Sequence, residues 1–238
     1  MTDLTGVDLH AHTRWSHDAG TTPAELVERA AEAGIGRIAV TDHGEIEGAM
    51  RARSIDPDRV IVGEEIRCRG RTELIGLYLN ERIPEGLSVE ETAARIRDQG
   101  GLVYAPHPWA YVYRPGHHAR KSIAVADIIE VFNSRAFWGR WNRLAARSAE
   151  RAGTLTAASS DAHFPHEIGR AMTLVPEFDG PQGLLDALRT GRPVANVVGS
   201  PFVHVASVLV AARRRLPLLS DQAGWGTASA RRGGPAIG

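Results

Sequence analysis

The chain has 238 residues, with 28 basic and 28 acidic side chains, so its formal net charge is zero and nothing drives it broadly toward nucleic acid or a membrane surface. Its 43% hydrophobic and 24% charged residues suit one sizeable globular core, and α/β barrels of about 200–250 residues form single domains. A single cysteine, Cys68, excludes an intramolecular disulfide, and the apolar stretch 202–212, broken by His204, is shorter than the roughly 20 residues that span a bilayer.

No basic segment followed by an apolar one opens the chain, so a signal peptide is not expected and a cytoplasmic location is. Short β-branched runs at 6–9, 37–41, 60–62, 73–79, 102–105, 127–132 and 154–159 read as strands. Helical patterns lie between many of them, which predicts parallel strands joined by crossover helices. Two helix starts are marked by capping boxes. In Thr22-Pro23-Ala24-Glu25 the Thr22 hydroxyl can accept from the Glu25 N–H, and Pro23 stands where no N–H is needed. Leu26, Val27, Ala30 and Ala33 then form an apolar face, and Gly34 ends it. Ser88-Val89-Glu90-Glu91 repeats the device, with Ile96 inward and Gly100 as the stop. Residues 1–212 are expected to form one domain, and the Arg-, Gly- and Ala-rich residues 213–238 a mobile tail.

The histidines carry the chemical signal. His10 and His12 close the first strand as Asp8-Leu9-His10-Ala11-His12, and in an extended segment residues i and i+2 share a face. Alone this pair is weak, but other strands also end in ligand types. The second ends Thr41-Asp42-His43, the third Gly63-Glu64-Glu65, the fifth Pro106-His107-Pro108 and the seventh Ser160-Asp161-Ala162-His163. In parallel α/β folds, functional groups gather at the carboxyl ends of strands. Imidazoles and carboxylates without thiolates suit Zn2+, Mn2+ or Fe2+. Cys68, beyond Glu65, reads as a buried apolar residue. Glu65 can bridge two cations, and Asp18 is a further oxygen donor in the loop before Thr22.

With Ser16-His17-Asp18 included, this series of motifs resembles the PHP (polymerase and histidinol phosphatase) family, in particular its short stand-alone phosphoesterases. The resemblance runs from Val7 to about Pro193. It implies an α/β fold, a distorted seven-stranded (β/α) barrel of PHP type with two or three divalent metal ions at its mouth. It assigns His10, His12, Glu65 and Asp161 to a first metal, Glu65 and His107 to a second, and Asp18, His43 and His163 to a third. Where many members carry a histidine ligand after the sixth strand this chain has Asn133, so the second site would have an amide in place of an imidazole. Glu130 reads equally as a group supporting the ligands or as a partner in a salt bridge to a helix.

Such a centre would keep net positive charge and favour an anionic substrate, with hydroxide from metal-bound water attacking phosphorus. The expected reaction is hydrolysis of a small phosphate monoester such as a nucleotide, sugar phosphate or amino-alcohol phosphate. His17 and His118 are candidates to protonate the leaving oxygen, and Arg135 to grip the phosphate bidentately. The loop Tyr111-Val112-Tyr113-Arg114-Pro115-Gly116-His117-His118 is a candidate lid whose aromatics either stack on a base or pack the loop. His166 reads as a substrate or supporting group, and His204 as structural. A diesterase or exonuclease acting on short nucleic acid uses the same chemistry, but no basic stripe suits a long polymer. An amidohydrolase would more often bridge its metals with a carboxylated lysine, and the one lysine, Lys121, precedes the sixth strand. A degenerate barrel serving only as a binding module should have lost ligands that are retained here.

Overall fold

A computed structural model describes residues 4–111, 115–195 and 202–215. Within them β1 (Leu4–Ala11), α1 (Pro23–Glu32), β2 (Ile35–Val40), α2 (Glu47–Ile55) and β3 (Val60–Arg67) alternate as the sequence predicts. There follow β4 (Glu73–Leu77), α3 (Val89–Asp98), β5 (Leu102–Ala105), α4 (Pro115–Val125), β6 (Ile128–Asn133), α5 (Gly139–Ala152) and β7 (Leu155–Ser159). A short 3-10 turn, Pro165–Glu167, leads to β8 (Ala171–Pro176), α6 (Gly180–Leu188), β9 (Arg192–Ala195) and α7 (Phe202–Arg215). The candidate lid residues Val112, Tyr113 and Arg114, the side chain of His204 and residues 216–238 lie outside the description. Among the described residues no helix is long and apolar enough to cross a membrane.

Both capping boxes form. The Glu25 N–H donates to Thr22 Oγ1 at 3.2 Å while Glu25 accepts from the Thr22 N–H at 2.9 Å, and Ser88 and Glu91 repeat the exchange at 3.1 and 2.9 Å. Leu26, Val27 and Ala30 of α1 are buried against Ile35, Ile38 and Val40, and fully burying one such side chain is worth about 1.5–3 kcal/mol. Gly34 then turns the chain with φ of +71°, a conformation that costs glycine nothing.

The sheet runs β7-β6-β5-β4-β3-β2-β1-β8-β9. It departs from the expected all-parallel barrel of seven strands in two ways. β4 pairs antiparallel with both β3 and β5, because a tight turn with Cys68 N–H donating to the Thr72 carbonyl at 2.8 Å makes β3 and β4 a hairpin. Two further strands, β8 and β9, add antiparallel pairs beside β1. The two strands of the hairpin lie close, and a side chain at Gly63 would stand 2.8 Å from the Gly76 carbonyl. Closure comes from the end of β7, where Asp161 N–H donates to the His10 carbonyl and His12 N–H to the Ala162 carbonyl, each at 2.8 Å. The sheet is therefore nearly a closed barrel. Leu9, Ile61, Ile75, Leu77, Tyr104 and Ile128 fill it, with Leu184 and Leu188 of α6 packed against them. Arg213–Arg215, read from sequence as the start of a tail, form the last turn of α7.

Candidate metal centre

The carboxyl ends of five strands bring the predicted ligands to one place. His10 and His12 are wholly buried, and their Nε2 atoms stand 3.0 Å apart. Each lies 3.4 Å from Glu65 Oε2, and Asp161 Oδ1 is 3.4 and 3.3 Å from the same two nitrogens. His43 Nδ1 is 3.0 Å from Glu65 Oε2, and His107 Nε2 is 3.2 Å from Glu65 Oε1. Asp18 reaches His163 Nε2 at 3.2 Å and His43 Nε2 at 3.6 Å. Three overlapping sets, His10–His12–Asp161, His10–Glu65–His107 and His12–His43–His163, each place one donor atom per residue within 4.8 Å of the others.

These separations match donors sharing an ion. Two donors about 2.0–2.2 Å from one tetrahedral cation stand roughly 3.4 Å apart. The orientations point the same way. His12 Nδ1 lies 3.0 Å from Ser16 Oγ, whose own proton goes to Asp42, and His10 Nδ1 lies 3.2 Å from Glu130 Oε1, so each Nδ1 is placed to donate and each Nε2 to face a cation. Among the described residues neither oxygen of Glu65 has a hydrogen-bond donor, nor does Asp18 Oδ1, although all three are buried. Buried carboxylate oxygens without donors are costly unless a cation meets them. The donor set thus fits divalent metal ions.

Protonation follows from the same crowding. Burial opposes the charge of His10, but Asp161, Glu130 and Glu65 outweigh it and hold its pKa well above the usual range. For His107 burial is likewise outweighed, by Glu65, and its pKa is raised to about 9. His12 goes the other way: burial, with His163 and His43 beside it, lowers it to about 3. Burial would raise Glu65 and Asp161, yet the surrounding imidazoles keep both well below the ordinary carboxylate range. The carboxylates demand positive charge, and protons on histidine supply it where cations do not.

Strain and supporting groups cluster here too. His107 and Asp161 have φ of +26° and +53°, conformations that cost a non-glycine residue of order 1–3 kcal/mol. Glu130 is a supporting group: besides His10, its Oε2 accepts from the His107 N–H at 2.6 Å and from Asn133 Nδ2 at 3.0 Å. Asp8 accepts from the His10 and Ser160 N–H groups at 3.3 and 3.1 Å, and burial pushes it up to about 7. Asp42 accepts from both the N–H and hydroxyl of Thr13 and of Ser16, which fixes the loop carrying Asp18. Gly48 of α2 lets the helix approach, since a side chain there would collide with Asp42 and Thr13. Sequence reasoning gave Asp8 and Asp42 no role. Their position beside histidines at strand ends was the available signal.

Three expectations are corrected. Asn133 does not present its oxygen to the cluster. Its Nδ2 donates to Glu130 and, at 3.1 Å, to Asp161 Oδ2, while its Oδ1 accepts from the Arg135 N–H at 2.9 Å. It orients a ligand instead of acting as one, because two carboxylates facing the amide demand a donor. Arg135 is not held ready for a phosphate: it is buried, its Nη1 donating to both carboxylate oxygens of Glu167 at 2.8 and 2.7 Å and its Nη2 to Ser207 Oγ of α7 at 2.8 Å. Glu167 in turn accepts from the His163 N–H at 2.8 Å. His118 is also buried away from the cluster, 3.0 Å from Thr72 Oγ1 and stacked on Tyr111 at 4.2 Å. Tyr111 packs the loop, its hydroxyl accepting from the Glu73 N–H at 3.1 Å. His17 stays at the mouth, exposed, with its ring 5.4 Å from that of His43. Lys121 is exposed on α4, and Glu65 holds the central position.

Comparison with known proteins gives a consistent result. Residues 8–94 match the PHP domain and 139–193 the PHP-associated family. Uncharacterized protein MJ1587 of Methanocaldococcus jannaschii is 36% identical over 140 residues, covering 53% of this chain and 81% of that protein. Uncharacterized protein MJ0417 of the same organism is 34% identical over 179 residues, covering 73% and 71%. A crystal structure from Bacteroides vulgatus, a two-domain protein containing a "predicted PHP-like metal-dependent phosphoesterase", superposes with a TM-score of 0.67 at 19% identity over 87% of this chain and 70% of that one. Its likeness is one of fold.

Proposed function

This chain belongs to the PHP family, and from that premise we propose that it is a metal-dependent phosphoesterase that hydrolyses small phosphate monoesters. His10, His12, Glu65 and Asp161 would hold a first divalent cation, Glu65 and His107 a second, and Asp18, His43 and His163 a third. When bound, such ions stabilise charge on phosphoryl oxygens and make water a nucleophile at neutral pH. The observation that carries this reading is Glu65, whose buried oxygens face His10, His12, His43 and His107 and have no hydrogen-bond donor among the described residues. Mn2+, Zn2+ and Fe2+ all suit the nitrogen and oxygen donors.

The remaining steps fall to the chain's own groups. Glu130 and Ser16 fix the tautomers of His10 and His12, and Asp42 holds Ser16 in turn. Asn133 keeps Asp161 in place. With His118 buried elsewhere, His17 at the open side is the group to deliver a proton to the leaving oxygen. No serine, cysteine or aspartate nucleophile is required.

The test is phosphate release from a panel of monoesters by chelator-stripped protein re-supplied with Mn2+ or Zn2+, with His10→Ala as control. Metal-dependent release that is lost in the control supports the reading. Release from bis-esters but from no monoester would replace it with a diesterase.

A further inference from the structure

The metal cluster opens on two sides of different character. One is a cavity of about 320 Å3 bounded by His17, Asp18, His43, Glu65 and residues of α7. It is charged, and suits a phosphoryl group. The other, of about 610 Å3, is lined by His107, Asn133 and Asp161 and by Tyr111, Trp138 and Trp141. Its volume lies within the roughly 300–1,000 Å3 typical of small-molecule sites.

Part of its aromatic lining is exposed. Phe137 is 46% and Trp138 44% exposed, where residues of this size would ordinarily bury most of their surface. The Trp138 and Trp141 rings lie nearly parallel, at 17° with centroids 5.8 Å apart, and the Arg140 guanidinium lies 3.9 Å over Trp138. This platform is held at a set distance from the metal cluster. Asn142, one residue past Trp141, accepts from the Asn133 N–H at 3.2 Å and donates to its carbonyl at 3.1 Å. Trp109 also ties the adjacent loop to α5, its Nε1 donating to Ser148 Oγ at 3.1 Å. An exposed apolar patch rigidly mounted beside a reactive centre is a binding surface more often than an accident of folding.

We propose that this cavity selects the alcohol half of the substrate, and that the preferred monoesters carry a planar aromatic or heteroaromatic ring one bond or more from the ester oxygen, stacked on Trp138 and Trp141. The proposal rests on the phosphatase reading above and adds its substrate class. Stacking favours a flat ring over an aliphatic ring of similar size, because only the former offers a π face to indole and guanidinium.

The test compares benzyl phosphate with cyclohexylmethyl phosphate, whose leaving alcohols are similar in size. It is run on metal-loaded wild-type protein and on Trp138→Leu and Trp141→Leu. The expected kcat/KM ratio in the wild type is about five- to tenfold in favour of benzyl, carried by KM, and either substitution should bring it toward one. Trp138→Leu, at an exposed position, keeps the test open if Trp141→Leu does not fold. A second readout is quenching of tryptophan fluorescence by benzylphosphonate and cyclohexylmethylphosphonate, which bind without turnover. Release from both esters with a wild-type ratio near one, or a ratio that neither substitution moves, would overturn the proposal while leaving the phosphatase intact. No release from any monoester would overturn the phosphatase reading instead. The phosphonates then decide the pocket: preferential binding of benzylphosphonate that Trp138→Leu abolishes retains it, and equal binding rejects it.

Discussion

At the scale of single residues, Glu65 is the hinge of the site. Its carboxylate faces four imidazoles, so Glu65→Gln should remove a charge that the cations need and lower metal content measured by elemental analysis, with the circular dichroism of the fold retained. His107 gives a pH prediction. Its folded pKa is raised to about 9 from an unfolded value near 6.5, so the stability it contributes is fully present below pH 6.5 and is lost as pH rises through 9. His10 and His43 are shifted in the same direction. Thermal unfolding of metal-stripped protein should therefore fall from pH 6.5 to 9, and metal-loaded protein should show a smaller decline. An equal decline in both would mean that the cations do not replace those protons. Glu167 answers to a different rule. Its carboxylate faces buried Arg135, so Glu167→Gln should cost about 3–5 kcal/mol in urea unfolding by removing the negative charge opposite a buried guanidinium. The ligands themselves were legible because histidine and carboxylate recur at successive strand ends. The fates of Asn133, Arg135 and His118 were not, since they depend on Asp161, Ser207 and Thr72, which lie 28, 72 and 46 residues away.

Among the elements, α1 and α3 were read most fully, because a capping box is a local device whose donors and acceptors lie within four residues. Thr22→Ala and Ser88→Ala should each cost about 1 kcal/mol in chemical denaturation, and the two effects should add, since each capping box closes within its own first turn. The strands fared unevenly. The positions of β1 to β7 follow from their apolar runs, but an alternating pattern carries no direction, so nothing in residues 73–77 marked β4 as antiparallel. Its direction is set by the short turn at Cys68–Thr72, where Gly70 and Arg71 take φ of +82° and +70°. β4 also stops at Leu77, not at residue 79, because Tyr78 adopts φ of +62°. β8 and β9 were not anticipated: β8 is defined by its pairing with β1, far away in sequence, and β9 by its pairing with β8.

For the molecule as a whole, the near-closure of the sheet is what makes one site of many strand ends. The β7–β1 contact brings Asp161 and His163 to His10 and His12 across some 150 residues, and no local pattern reports it. α7 completes the mouth. Arg214 donates to the carbonyls of Ser16 and, at 3.0 Å, Ala19, and Ser207 accepts from Arg135, so this helix closes over the charged side of the centre. As proposed, this assembly holds divalent cations and hydrolyses phosphoesters. The most direct test is to titrate Mn2+ into chelator-stripped protein, following bound metal per chain by equilibrium dialysis and phosphate release from monoesters in the same samples. Release is expected to rise with occupancy and level off at two or three ions per chain. Release that survives stripping, or filled sites without release from any phosphoester, would contradict it.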